Sequence, residues 1–206
     1  MPLTESTQMS ELPAYRDFLE FESQRRGWTP EQADVFDSWR QGVSNVESND
    51  VPTRTQGDSA TGIGRGKFQY ETSAGSGTNK TAVTRLGTFL KRYGYSVSDL
   101  PSADKKELLS SDPDFSKVSS DVQDLLFLAD KSEAPETSLN DLVKGNISPA
   151  DAWADWHWKG DQSKRDTKID QWARNANYSA PVSAKELKGG KDWLDELFGG
   201  VKDLFN

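Results

Sequence analysis

The residues best suited to chemistry lie in two short runs. One is Val46-Glu47-Ser48; the other is Gly62-Ile63-Gly64-Arg65-Gly66-Lys67-Phe68-Gln69-Tyr70-Glu71, in which Gln69 follows Glu47 by 22 positions. A carboxylate at the end of an apolar-faced helix is partly desolvated, which raises its pKa and suits it to general-acid work near neutral pH. Glycosidic cleavage needs such an acid. Closely spaced glycines let a backbone approach a sugar ring that side chains would exclude, and a following Gln offers both donor and acceptor to hydroxyl or acetamido groups. Glu47 is therefore the candidate catalytic acid, with Ser48, Gly66, Gln69, Tyr70 and Glu71 as the candidate substrate wall. A hydrolytic mechanism would add a second carboxylate roughly 5–9.5 Å away. Asp50, Asp58 and Glu71 could each supply it, although Glu71 reads better as a structural or orienting group.

Other groups invite weaker readings. Phe21-Glu22-Ser23 has the same local look as Val46-Glu47-Ser48, but lies too far before Gln69 to share a loop with it. Gly62-Ile63-Gly64-Arg65-Gly66 has neither a P-loop Lys-Ser/Thr after it nor an apolar strand before it, so a phosphate cradle is not expected. In Trp153-Ala154-Asp155-Trp156-His157-Trp158, Trp153 is assigned to the core and Trp156 is a candidate for stacking on a sugar. His157, the one histidine, has only Asp151, Asp155 and Asp161 within reach, so a hydrogen-bonded structural His is expected, with no metal site and no cofactor.

Helices must position these groups. Leu12, Tyr15, Phe18 and Leu19 recur at helical spacing up to Gly27. Thr29-Pro30-Glu31-Gln32 forms a capping box with proline at the first helical position, and opens a second helix that carries Phe36 and Trp39 and ends near Glu47. The Gly/Ser/Thr-rich stretch from Asn49 to Thr78 is irregular, with a short strand or hairpin at Lys67–Glu71. Thr78 is expected to cap a buried helix running to Gly94, and shorter helices follow Pro101, Ser120, Ser138 and Ser148-Pro149. A last one carries Ile169 and Trp172.

Residues 1–9 are a flexible terminus, and 179–190 have a linker composition. Residues 191–206 place Trp193, Leu194, Leu197, Phe198, Val201, Leu204 and Phe205 on one face of an amphipathic helix. Its other face mixes Asp and Glu with Lys, which disfavours anionic bilayers and suits docking into a protein groove.

The net charge of −8 argues against a general nucleic-acid grip. Carboxylates interspersed with Lys and Arg along the helices argue against an acidic nucleic-acid mimic. With no Cys, neither disulfides nor thiolate chemistry is available, and the fold must be held by packing. Apolar residues make up 33% of the chain, so the seven Trp, nine Phe and five Tyr must supply much of the core. No run is long enough to span a membrane, and the N-terminal residues lack the features of a Sec signal.

The Glu-Ser pair at a helix end, followed after about two dozen residues by a Gly-rich segment ending in Gln, resembles the lytic transglycosylase branch of the lysozyme superfamily. The run Gly64-Arg65-Gly66-Lys67-Phe68-Gln69-Tyr70-Glu71 is similar to the matching loop of bacteriophage virion-associated murein-cleaving domains. The likeness implies a mainly α, lysozyme-like domain over residues 10–178, with a small irregular or β-hairpin segment and the C-terminal helix beyond it. It implies Glu47 as general acid and Gln69 as a substrate contact, acting on the β-1,4 bond between N-acetylmuramic acid and N-acetylglucosamine. The family's Tyr in an Ala-Tyr-Asn setting has its nearest text in Asn177-Tyr178, in reversed order, so Tyr178 joins the candidate substrate residues. Peptidoglycan strands and other virion proteins are the implied partners, and the implied setting is a virion component acting at the host periplasm and cell wall. The alternative is a non-catalytic structural virion protein that keeps the fold.

Overall fold

The computed structural model describes residues 12–56, 64–73, 76–158 and 162–178, and over these the chain is mainly α-helical. Asp58, residues 1–9, the linker and the C-terminal segment with Trp193, Leu194, Leu197, Phe198, Val201, Leu204 and Phe205 lie outside the described residues.

Helices α1 (Tyr15–Arg26) and α2 (Pro30–Ser48) form where local chemistry dictates. α1 stops at Gly27, whose φ of 69° is readily reached only without a Cβ. α2 starts at the expected capping box: Thr29 Oγ1 accepts from Gln32 N–H, and Gln32 Oε1 accepts from Thr29 N–H. At its other end Asn49 and Asp50 both take left-handed backbone (φ 57° and 58°), with short polar side chains that tolerate that region. Asp50 is tied back by Ser44 Oγ at 2.7 Å, so the turn after Glu47 is fixed from both backbone and side chain.

A two-stranded hairpin, β1 (Gly64–Arg65) and β2 (Tyr70–Glu71), pairs Gly64 with Glu71 and Arg65 with Tyr70. α3 (Thr78–Arg92) follows. Thr78 was expected as its cap, but is instead its first residue; its Oγ1 accepts the Glu71 N–H at 2.8 Å and so joins helix to hairpin.

After α4 (Ser102–Leu108) comes α5 (Ser120–Glu133), the centre of the molecule. Every residue from Leu125 to Lys131 is buried, as befits a helix surrounded on all sides. α3 lays Ala82, Leu86, Phe89 and Leu90 along it, α1 adds Phe18 and Leu19, and α6 (Leu139–Val143) closes against α2. α7 (Pro149–Trp153), with Ser148 as N-cap, lasts barely more than one turn before residues Ala154–Trp158 widen into a π-turn. The expected single helix through this aromatic run is therefore interrupted. α8 (Arg165–Asn175) returns against α2. Among the described residues no helix is long and apolar enough to cross a membrane.

The α2–α8 contact depends on one missing side chain. A Cβ on Gly42 would lie 2.8 Å from Cη2 of the buried Trp172, so the indole occupies the space that any other residue would fill. Elsewhere in a helix, Gly→Ala gains about 1 kcal/mol. Here Gly42→Ala is expected to lose about 1–3 kcal/mol through overpacking, read as a lower midpoint in urea unfolding.

Candidate active site

Glu47 sits in the last turn of α2, with its side chain 19% exposed. Trp153, at the end of α7, donates its indole N–H to Glu47 Oε1 at 2.8 Å. His157 in the π-turn brings Nε2 to 3.9 Å from the same oxygen. That nitrogen lies 2.9 Å from the Phe68 carbonyl. A carbonyl only accepts, so Nε2 carries the proton and is committed to the hairpin loop. Lys131 of α5 and Lys168 of α8 act on Glu47 as charges.

The electrostatic balance follows from this geometry. Burial is the largest influence on Glu47 and raises its pKa; the Trp153 hydrogen bond and the charges of Lys168 and Lys131 pull the other way. The result is a rise from 4.5 to about 7. The cations stay at a distance because each is held elsewhere. Lys131 Nζ pairs with Asp130 at 2.9 Å and donates to the Trp156 carbonyl at 3.0 Å. Lys168 lies over the rings of Trp158 and Trp153, at 5.4 and 6.0 Å, and donates to Gln171. A carboxyl with this pKa is half protonated near neutrality, as a general acid requires.

The Gly-rich loop is built differently from an open wall. Gly66 is buried with φ 76°, and a Cβ there would collide with Gln123 Oε1, so this glycine serves close packing on α5. Gln123 accepts the Lys67 N–H at 2.7 Å and donates to the carbonyls of Pro52 and Val118, pinning both arms of the loop. Lys67 is itself buried, with Nζ between Asp124 at 2.9 Å and Asp50 at 3.2 Å. Gln69 takes a left-handed backbone (φ 49°), and its amide turns inward to donate to the Gly66 carbonyl at 2.6 Å.

Four of the proposed substrate residues are corrected by burial. Ser48 Oγ donates to the Ser44 carbonyl and accepts the Val51 N–H, which locks the helix end. Gly66 packs on Gln123 as described. Tyr70 donates its hydroxyl to Asp130 at 3.0 Å inside the core. Trp156 packs edge-on against Trp39 at 5.9 Å and presents its carbonyl, not its ring, to a polar partner. Glu71 accepts the Ser76 N–H, consistent with an orienting role. Tyr178 is half-buried, 6.2 Å from the Trp172 ring, and burial pushes its hydroxyl up to about 12.

Of the three possible second carboxylates, Asp50 is engaged by Ser44 and Lys67. Burial alone would raise it, but these partners hold it below the usual range. Glu22, the look-alike, is a structural hub. Burial opposes its ionisation, yet hydrogen bonds from Arg25 and Tyr93 and the Arg26 charge hold it down to about 2.

Trp153, His157, Lys131 and Lys168 are the residues that sequence reasoning missed as neighbours of Glu47. The one available signal was Trp153 and His157 four residues apart, a spacing that puts two side chains on one face. No protein-family model matches the chain, and neither a curated protein nor a solved structure shows significant similarity to it.

The raised pKa has a consequence for stability. Unfolded, Glu47 ionises near 4.5; folded, near 7. Between these values the folded state binds more protons, so this contribution is fully present below about 4.5 and is lost as pH rises through about 7. Gln keeps an acceptor for Trp153 and removes the titration. Glu47→Gln is therefore expected to gain on the wild type by up to about 3 kcal/mol on going from pH 4.5 to pH 8. Calorimetric melting of both proteins at the two pH values checks this; the same difference at both would refute the raised pKa.

Proposed function

We propose that this protein cleaves the glycan strands of peptidoglycan, with Glu47 as the general acid and then base. The observation that supports it most is the carboxyl itself: at a helix end, partly open to solvent, and raised to about 7 by burial. In this reading the protonated Glu47 gives its proton to the glycosidic oxygen as the bond to the anomeric carbon of N-acetylmuramic acid breaks. The resulting carboxylate is steadied by the Trp153 N–H. It then takes the proton of the attacking hydroxyl, either the 6-hydroxyl of the same sugar, which closes a 1,6-anhydro ring, or water. The cell-wall substrate and the bacteriophage-virion setting rest on the likeness of the Glu47–Glu71 segment. Docking to another virion protein rests on the apolar periodicity of residues 191–206.

A second reading, a non-catalytic structural virion protein, draws on the burial of Ser48, Tyr70 and Trp156 and on the inward turn of Gln69.

Zymography on purified murein separates the two. The first reading expects clearing by wild type and a loss of at least about a hundredfold in Glu47→Gln, the scale of a general acid's contribution, with Glu20→Gln, on the exposed side of α1, unchanged. No clearing by wild type would favour the structural reading, and equal clearing by wild type and Glu47→Gln would remove Glu47 as the acid. Mass analysis of the products distinguishes anhydro ends from reducing ends.

A further inference from the structure

We propose that Trp153 is the positioning residue of Glu47: its indole N–H claims Oε1 and so assigns the transferable proton to Oε2. This rests on the reading of Glu47 as the acid and adds which atom acts and what holds it there.

The donor's chemistry makes the assignment. An indole nitrogen donates and never accepts, so Oε1, facing it at 2.8 Å, is used as an acceptor in both protonation states. Protonated Glu47 then turns its carbonyl oxygen, the better acceptor, to the indole and carries its hydrogen on the other oxygen. A Ser, Tyr or His at the same place could reverse the bond and leave the proton shared between two sites. His157 does not substitute for it, since its Nε2 stands at 3.9 Å and faces the Phe68 carbonyl at 2.9 Å.

The donor's mounting makes the assignment rigid. Trp153 is 1% exposed, and its ring lies 5.8 Å from that of Trp172. Trp172 in turn is seated on Gly42, in the same helix as Glu47. Donor and acceptor are thus keyed to each other through a glycine five residues before the carboxyl. Of the charged groups facing Glu47, Lys131 belongs to α5 and Lys168 to α8; the titratable His157 faces it from the π-turn. Trp153 is the neutral donor among them, so it stabilises the carboxylate without adding a charge that would keep it ionised.

The test is a nuclear magnetic resonance titration of the full chain with ¹³C-labelled Glu carboxyls and ¹⁵N-labelled indoles. In wild type the Trp153 indole signal should move with the same midpoint as the Glu47 carboxyl, and should stop moving in Glu47→Gln. In Trp153→Phe the Glu47 midpoint should rise by about one unit, a tenfold change in proton affinity, because a bond favouring the ionised form is gone. An indole signal that stays still through the Glu47 titration would overturn the proposal, as would an unchanged Glu47 midpoint in folded Trp153→Phe. If that variant does not fold, the wild-type indole titration decides alone. The outcomes remain separable from the activity reading: a Glu47 midpoint near 4.5, or no clearing of murein, undoes the acid but leaves the co-titration of Trp153 intact.

Discussion

The ring of Phe127 is stacked on Phe68 at 4.3 Å, lies 5.3 Å from Trp39, and meets His157 at 5.6 Å. Phe68 belongs to the hairpin loop, Trp39 to α2 and His157 to the π-turn, so one side chain of α5 joins three of the elements around Glu47. Aromatic contacts of this kind favour particular ring geometries beyond the area they bury, which fixes orientation as well as proximity. With few apolar residues and no disulfide, a chain of 206 residues concentrates its packing here. The price is a set of polar groups trapped beside the cluster, and these determine the electrostatics of the site.

Two glutamates show how that is resolved. Glu22 and Glu47 each lie near a helix C-terminus, are each followed by Ser, and are each desolvated, yet their pKa values move in opposite directions. Glu22 has guanidinium groups of Arg25 and Arg26 in direct contact and the Tyr93 hydroxyl at 2.6 Å, enough to outweigh the cost of burying its charge. Glu47 receives one neutral N–H, while the cations that feel it are held by other partners. Burial therefore wins at Glu47 and loses at Glu22. Asp130, shared by Arg85 and Lys131, follows the Glu22 pattern, whereas burial still raises Asp124 although Arg40 and Lys67 share it. Among the described residues Glu47 has no Lys or Arg in direct contact, and burial raises its pKa to about 7.

Much of the fold was legible because its signals are local. The capping box at Thr29, the stop at Gly27 and the Ser148-Pro149 start each involve residues within one turn, and the structure shows them as read. The position of Glu47 at a helix end was legible for the same reason. Its surroundings were not. Gly66 was read as open backbone, but its freedom is used to admit Gln123, a residue 57 positions away whose approach no local pattern announces. Trp156, read as a candidate for stacking on a sugar, instead joins Trp153 in the core, in a π-turn at Ala154–Trp158 that changes the angular step between residues. Trp153 was rightly assigned to the core. What the pattern could not convey is that a core indole still has a donor to satisfy, and that the acceptor is the candidate acid.

That last point links stability to chemistry. An indole sunk in the core needs an acceptor, and a carboxyl sunk beside it needs a donor; each meets the other's requirement, but one neutral bond does not offset the desolvation of a charge. The shortfall appears as proton affinity. Supplying a cation to Glu47 would repair it and would also lower the pKa towards that of Glu22, leaving a carboxylate with no proton to give at neutral pH. The fold instead holds Lys131 on Asp130 and the Trp156 carbonyl, and Lys168 against two indoles, close enough to temper the carboxyl and too engaged to neutralise it. A site of this kind is necessarily a weak point of the structure near neutral pH. It is carried by the rigid neighbours around it, of which the Trp153–Trp172–Gly42 stack is the nearest.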